Sequence, residues 1–583
     1  MSNRPPRGSA LFLDAATLIL ATCLAHLPLL MGVIAQATDH FIHYRWASTF
    51  ADSLAAGVLS PSWEAVSRGG LGDPVFVYYV PLYYYLVALL DRVTGDIWLA
   101  MRMLLIGMSL LSGLGVLVFS RRCGLGFWTA RALAGLAVLA PMPVAVGELL
   151  NSYPWTVASG LLVFVVMALV RVLGAEGMPR ARDLALLAAL CGALSWLHSL
   201  TTLTFAFVLF FACAADWALH RLRWRLGLAY LACGGALLLG MLLSAANFWP
   251  AVSAFDLVTP TAFLKTVNVA WDNSFALPVL TPVYRSAVSY ITPLGIGMVL
   301  AALAALAWRL RPLGRAERLL LWAAAIGFFL SIEPSYPVWA VFKPLQYVQR
   351  PFRFLTPTVA CLVVLAPLLL ARWSRQGRPV AAALRGFGSA PAALLMLGAW
   401  ALTDVALHAR LMQQALHDPQ TYFAAPTPAV RAEFYETPEH LLRGAGDGWK
   451  AFLEAGGWPA YCAEAGAECR AEPVSPEHPV WTVTLSAPQR FRLPMIAFPA
   501  WQLQVDGESV ALNWAEGVGL VELDLPAGTS RIEAVWAPLP QQSAGRIMSL
   551  AALAILALLV IAPGVIALRS RKAALPSGST PTA

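Results

Sequence analysis

VFVYYVPLYYYLVALLDR, residues 75–92, is the stretch on which the topology of the chain turns. It is apolar enough to enter a bilayer. It is also rich in tyrosine and interrupted by Pro81, which suits a helix lying at the headgroup level. If the segment 74–91 crosses, every later loop changes side. The basic residues decide between the two readings. Without a crossing, Arg121, Arg122 and Arg131 fall on one side of the membrane. So do Arg171, Arg180 and Arg182, the Arg221–Arg223–Arg225 group, Arg309 to Arg318, Arg372 to Arg385, and the tail residues Arg569, Arg571 and Lys572. That side is the cytoplasm by the positive-inside bias, so 74–91 is expected to stay on the outer interface.

The composition supports a membrane reading throughout. Of 583 residues, 59% are hydrophobic and only 12% charged, with a mean hydropathy of +0.66. A soluble domain carries about twice that charge. The apolar residues come in runs of roughly 18–25, the length that crosses a bilayer core. The net charge of +8 does not point to nucleic acid, because the basic residues sit in short clusters between apolar runs. Arg4 and Arg7 precede a first run with no small-residue cleavage site after it, so that run reads as a retained helix.

The expected fold is an all-α polytopic membrane protein with a small extracytoplasmic domain near the C-terminus, mixed in its lead-in and β-sandwich-like in its core. About twelve spans are expected, at 11–35, 97–120, 131–147, 153–171, 184–199, 201–219, 226–246, 290–308, 318–332, 356–371, 387–406 and 547–568. Both termini then lie in the cytoplasm. Residues 1–406 form the membrane domain with a long first outer loop, 36–96. Residues 407–546 form the outer domain, and 547–583 the last span and tail. The β-rich part is expected at 475–537, from the alternation in Trp481–Leu485 and the turn signals Asp506-Gly507 and Pro526-Ala-Gly528. Cys462 and Cys469 lie in this polar region with six residues between them. They either pair in an oxidising compartment or remain two thiols. The other cysteines lie in or beside apolar runs as small buried hydrophobes.

The polar residues that can carry chemistry gather outside. Asp39 follows the first span, with His40, His43, Arg45 and Asp52 soon after, on a stretch with helical spacing. Asp39 is either the cap of that helix or an acid at a site. Glu148, in GELLNSYPW, sits in a very short second outer turn, and an acid at membrane depth marks a function more often than a structural need. Two carboxylates so placed can act as base and metal ligand, or as base and positioner. His198 stands at the third outer turn, where it either caps a helix or joins the site. Arg350 and Arg353 close the segment KPLQYVQRPFRF. As outer charges beside a span they run against the inside bias, and arginine grips phosphate well in a low-dielectric setting. The tyrosines of 75–92, Tyr79 among them, either form an aromatic belt or line the site. His40 and His43 with Asp39 make a loose D-H-x-x-H, weak as a zinc site.

The order of these features resembles the GT-C superfamily of membrane glycosyltransferases. It is closest to the bacterial membrane proteins labelled as related to 6-pyruvoyl-tetrahydropterin synthase and to the YfhO-like proteins. The resemblance rests on the acid after span one and a G-x-x-x-P-x-W step at Gly57–Trp63. It rests also on a G-x-G-x-P-x-F-x-Y-Y-x-P-L stretch from Gly70 to Leu82, a second acid in the second outer turn, QRPFRF, and FPAWQLQVDGESV. It covers roughly residues 11–372 and that last strand pair.

The resemblance implies a transfer from a polyprenyl-phosphate sugar on the extracytoplasmic face of the bacterial inner membrane. On it, Asp39 is the catalytic base and Glu148 the second acid. Arg350 and Arg353 hold the donor phosphate, with His40, His198 and Tyr79 around it. The acceptor is a glycan, lipid or protein. D-H in place of an acid pair favours a metal-free, inverting transfer, although a divalent ion, Mg or Mn, stays open. Two other readings remain, a lipid-linked glycan transporter or flippase and a non-catalytic scaffold.

Overall fold

A computed structural model describes residues 7–31, 39–140, 152–174, 179–258, 271–277, 287–378, 442–443, 446 and 448–573. Its membrane part is helical. The long helices are α1 (Arg7–Ala25), α2 (Asp39–Ala55), α3 (Leu82–Thr94), α4 (Ile97–Arg122), α5 (Phe127–Val138), α6 (Tyr153–Leu173), α7 (Ala181–Leu197) and α8 (Ser199–Leu219). They continue as α9 (Trp224–Leu243), α10 (Ala245–Ser253), α11 (Ala287–Arg309), α12 (Arg315–Ser331) and α13 (Leu355–Arg375). Eight helices among the described residues are long and apolar enough to cross a membrane. The expected span 387–406 lies outside the described residues, as do parts of 11–35 and 131–147.

The stretch 75–92 forms a short helix, Val75–Tyr78, and then α3, with Pro81 between them. Thirteen residues of helix reach about 20 Å, short of a ~30 Å core. One face of α3 buries Tyr83, Tyr84, Val87 and Ala88, in contact with α2. Leu89 and Val93, on its other side, are exposed. Gly95, in the left-handed region, ends α3, and Asp96 then caps α4 by accepting from the Leu99 N–H at 3.0 Å.

Several of the arginines read as topology signals are paired with acids. Asp14 meets Arg121 at 2.7 Å and Arg131 at 3.7 Å. Arg171 meets Asp183 at 2.6 Å, Arg318 meets Asp216 at 3.0 Å, and Arg372 meets Glu317 at 2.7 Å. Each pair joins two helices on the side that the charge bias assigns to the arginines. Asp183 and Glu317 occupy first turns, where the helix dipole also favours an acid. Asp216 is in the last turn of α8, the wrong end for its charge. Arg318 and the Tyr230 hydroxyl, which donates to it at 2.6 Å, offset this.

The C-terminal domain, expected on the outer face and called the outer domain for that reason, contains α14 (Gly448–Glu454), α15 (Gly457–Glu464) and eight strands, and α16 (Pro540–Ala573) follows. The strands are β1 (Glu468–Ser475), β2 (His478–Leu485), β3 (Gln489–Ile496), β4 (Trp501–Val505), β5 (Glu508–Val510), β6 (Asn513–Trp514), β7 (Leu520–Leu525) and β8 (Gly528–Trp536). They form two antiparallel sheets, ordered β1-β2-β8-β4-β5 and β3-β7-β6. Val483, Leu485, Leu503 and Ile532 from one sheet share a core with Phe491, Leu493 and Leu523 from the other, while Thr482 and Thr484 on β2 are only partly buried. Asp506 and Gly507, both at positive φ, make the two-residue β4–β5 turn. The first strand starts at Glu468, inside the stretch expected as lead-in. Cys462 and Cys469 form a disulfide with a Cα–Cα distance of 6.2 Å.

The two-sheet core does not stop at the outer domain. Trp63, Leu71 and Val77 of the first outer loop belong to it. Trp63 lies 5.0 Å from Trp501 and 5.5 Å from Trp536, and the Ile496 N–H donates to the Leu71 carbonyl at 2.9 Å.

Gly72 (φ +84) holds this contact, because a Cβ there would meet the Trp63 indole at 2.1 Å. Gly57 (φ +88) faces open space. Gly57→Ala is expected to cost about 1–2 kcal/mol, the left-handed penalty alone, and Gly72→Ala clearly more. Thermal unfolding of the two variants in detergent checks this. Equal losses would show that Trp63 does not press on Gly72.

Candidate functional site

The segment from Gln346 to Phe354 makes two short 3-10 turns before α13 begins. Gln349 takes a left-handed φ of 69°. Arg353 braces this turn, donating from Nη1 to the Val348 carbonyl at 2.7 Å and to Gln349 Oε1 at 2.9 Å. Its guanidinium carbon lies 5.4 Å from the centre of the Trp155 ring, within cation–π range. Trp155, at the start of α6, donates through Nε1 to Thr356 Oγ1 at 3.1 Å. Phe352 also stacks on it at 6.0 Å. Arg350 sits beside Phe352, its guanidinium carbon 6.0 Å from that ring. Its buried Nε has no hydrogen-bond partner among the described residues.

His198 is the single residue between α7 and α8, and its ring lies parallel to Trp155 at 6.0 Å. Its Nδ1 accepts from the Thr201 N–H at 3.2 Å and bonds the Thr201 hydroxyl at 2.7 Å. These partners leave the neutral ring's proton on Nε2. Burial, then the charge of Arg353, then His43 hold its pKa well below the usual range.

His43 brings the first outer loop to this corner. It is buried on α2, its Nδ1 is 2.9 Å from the Tyr84 hydroxyl, and Trp46, Tyr79, Tyr83 and Tyr84 surround its ring at 5.7–6.3 Å. Tyr79 is therefore part of a cage around His43. Position 39 lies one helical turn before His43 on α2. The side chains of Asp39 and His40 lie outside the described residues, as does Glu148 entirely. Of the expected residues, the structure gathers Arg353, His198 and Arg350 around Trp155 and Phe352, and Tyr79 around His43.

Behind the cage lies a buried group of charges that reading the sequence did not single out. Glu64 and Asp73 pair their backbones, with N–H···O distances of 2.8 and 3.0 Å. Arg45 of α2 meets Glu64 at 3.1 Å, and Arg68 meets Asp73 at 2.8 Å. Thr49 also donates to Glu64 at 3.3 Å. Burial pushes the Glu64 carboxyl up, and Arg45 pulls it back. Of these four, sequence analysis had noted only Arg45, as one polar residue of the loop. The other available signal was the turn-rich SRGGLGDP that brings Arg68 and Asp73 together. A cleft of about 330 Å³ opens nearby between Trp63, Leu71 and the outer-domain residues Pro476, Pro479, Trp481 and Met495. Among the described residues, no three acids, histidines or cysteines gather to hold a metal.

A multi-span helical body with a two-sheet C-terminal domain and a cationic corner at its helix ends thus defines the class. The chain belongs to the membrane-protein family of the 6-pyruvoyl-tetrahydropterin synthase related domain, whose family profile matches residues 76–411. No curated protein sequence matches it. Among solved structures, it is similar to ArnT from Cupriavidus metallidurans bound to undecaprenyl phosphate. The identity is 16% and the TM-score 0.38, over 79% of this chain and 80% of that one. It is similar to the arabinofuranosyltransferase AftD from Mycobacteria, at 18% and 0.41, over 70% of this chain and 27% of that one. It is also similar to the apo oligosaccharyltransferase of Archaeoglobus fulgidus, at 12% and 0.43, over 73% and 60%.

His198 gives a pH test. Its folded pKa is depressed from 6.5, so below about 6.5 the unfolded chain takes up a proton that the folded chain refuses. The stability it supplies is present above that pH and is lost as pH falls. His198→Gln is expected to flatten the loss of stability between about pH 6.5 and 5. Denaturant titrations across that window check this, and parallel curves for both proteins would refute the assignment.

Proposed function

We propose that the protein is a membrane glycosyltransferase that moves a sugar from a polyprenyl-phosphate donor to an acceptor at the outer face. The observation that carries this reading is the corner around Trp155. There Arg353 and Arg350 stand at the outer start of α13 with a neutral His198, and no described carboxylate pairs with Arg350. A donor-rich corner at that depth suits a lipid phosphate. His43 supports the same reading, because it brings α2, the helix that opens at Asp39, within electrostatic reach of His198.

In the reaction, Asp39 takes the proton from the acceptor hydroxyl as its oxygen attacks the anomeric carbon. The bond from that carbon to the phosphate oxygen breaks, and the sugar inverts. Polyprenyl phosphate leaves with its new charge held by Arg350 and Arg353, while His198 offers its Nε2–H. Glu148 orients the acceptor. A divalent metal, where one is used, would rest on Asp39 and Glu148 and would neutralise the leaving phosphate. The donor arrives laterally because its lipid is already in the bilayer, which reduces the search to positioning. The setting is a bacterial inner membrane with the outer domain in the periplasm.

Asp39→Asn is expected to lower transfer by about 10²–10⁴-fold, the usual worth of a general base, with the protein still folded. Arg350→Ala is expected to weaken undecaprenyl phosphate binding about tenfold or more. Transfer assays with lipid-linked sugars and binding of undecaprenyl phosphate to the purified protein check these. Full activity in Asp39→Asn would refute the catalytic role.

A further inference from the structure

We propose that Glu477 of the outer domain and Glu64 of the first outer loop are positioning residues that fix α2, so that the outer domain sets the geometry of the candidate site. This rests on the reading of α2 as the helix that carries the catalytic base.

The connection can be followed atom by atom. Glu477 lies in the turn between β1 and β2 and turns its carboxylate toward the first outer loop. Its Oε1 accepts from the backbone N–H of Ser62 and, at 3.1 Å, from that of Trp63. Gln542, just inside α16, donates to Ser62 Oγ at 3.1 Å and accepts from the Leu539 N–H at 2.9 Å. Gln542 therefore holds Ser62, and Glu477 holds both Ser62 and Trp63. The next residue is Glu64. Its backbone is fixed to Asp73, and its carboxylate reaches back to Arg45 and Thr49 on α2. Arg68, paired with Asp73, has its guanidinium carbon 5.8 Å from the Trp449 ring on α14. That gives the outer domain a second hold on the same turn.

None of these groups lies in the cationic corner. Their effect on it passes through α2, whose Arg45 and Thr49 take the load while His43, on the same helix, faces Tyr84. The geometry gives each residue a distinct role. The two N–H groups at Ser62 and Trp63 need an acceptor, which either a carboxylate or a carboxamide oxygen supplies. Arg45 needs a charge at Glu64, because a partly buried guanidinium loses its main offset when that carboxylate becomes an amide. Gln is thus expected to serve at position 477 and to fail at 64.

The test uses the full-length protein in nanodiscs. Hydrogen exchange of the α2 amides reads the positioning directly and needs no donor. Glu477→Ala is expected to speed exchange across residues 45–55 about tenfold or more, with α9 unchanged. Glu477→Gln is expected to restore slow exchange, and Glu64→Gln to behave like Glu477→Ala. Where a lipid-linked sugar supports turnover, Glu477→Ala is expected to lower kcat about tenfold or more with little change in donor KM. Binding of undecaprenyl phosphate is expected to stay within about twofold, since Arg350 and Arg353 stand on the helical bundle. Unchanged exchange in α2, or faster exchange with unchanged kcat, would overturn the proposal. Faster exchange in a protein that neither binds undecaprenyl phosphate nor transfers sugar would leave Glu477 as the brace of α2 and overturn the glycosyltransferase reading.

Discussion

The ion pair between Arg45 and Glu64 is the contact on which the outer half of the molecule depends. Glu64 is completely buried, and Arg45 is partly buried. A buried pair gains little net stability over a well-packed apolar one, but removing one partner costs about 3–5 kcal/mol because the other charge is stranded. The pair is therefore better read as a device for specificity than as glue. It permits one register of the first outer loop against α2. The loop could otherwise slide, since much of its surface is aromatic and apolar. Once the register is set, Trp63 falls against Trp501 and Trp536, and the loop becomes one wall of the outer domain's core.

The helical body was legible because its signals are local. Apolar runs, Pro81 and the tyrosines between Tyr78 and Tyr85 act within a few residues of where they stand. The hairpin at Asp506-Gly507 and the alternation in β2 are likewise local. Glu64 and Glu477 were not legible, for one physical reason. Each has a partner that local spacing cannot supply, at Arg45 across a loop for Glu64, and more than four hundred residues away at Ser62 for Glu477. The same holds at the cationic corner. Arg350 and Arg353 stood out because outer charges beside a span defy the charge bias. Trp155, the ring they share with His198, carried no signal beyond its place after Glu148. His43 had been weighed only as a loose metal ligand. Its burial among four aromatic rings follows from the packing of α3 on α2, which no spacing within α2 reveals.

The arginines of the opposite face show how a local signal can hide a second role. Read as a group, they orient the chain. In the folded protein, Arg121, Arg171, Arg318 and Arg372 also close helix ends against Asp14, Asp183, Asp216 and Glu317. Orientation requires only that the charges stay on one side. Closure requires a particular acid within about 4 Å. The two demands are compatible because Asp183, Asp216 and Glu317 lie in terminal helical turns, near the level where the arginines must remain anyway.

These two layers divide the work of holding a site. The arginine–acid pairs tie the spans to one another, so Arg353, His198 and Trp155 stand on the rigid body. The first outer loop rests on the spans through α3, which is too short to cross and packs on α4 and α7. The outer domain adds a second hold through backbone and side-chain contacts at Ser62, Trp63 and Leu71. The outer domain then has a reason to be folded against this loop rather than carried on a flexible stalk. It supplies the stiffness that a short interfacial helix cannot obtain from the bilayer.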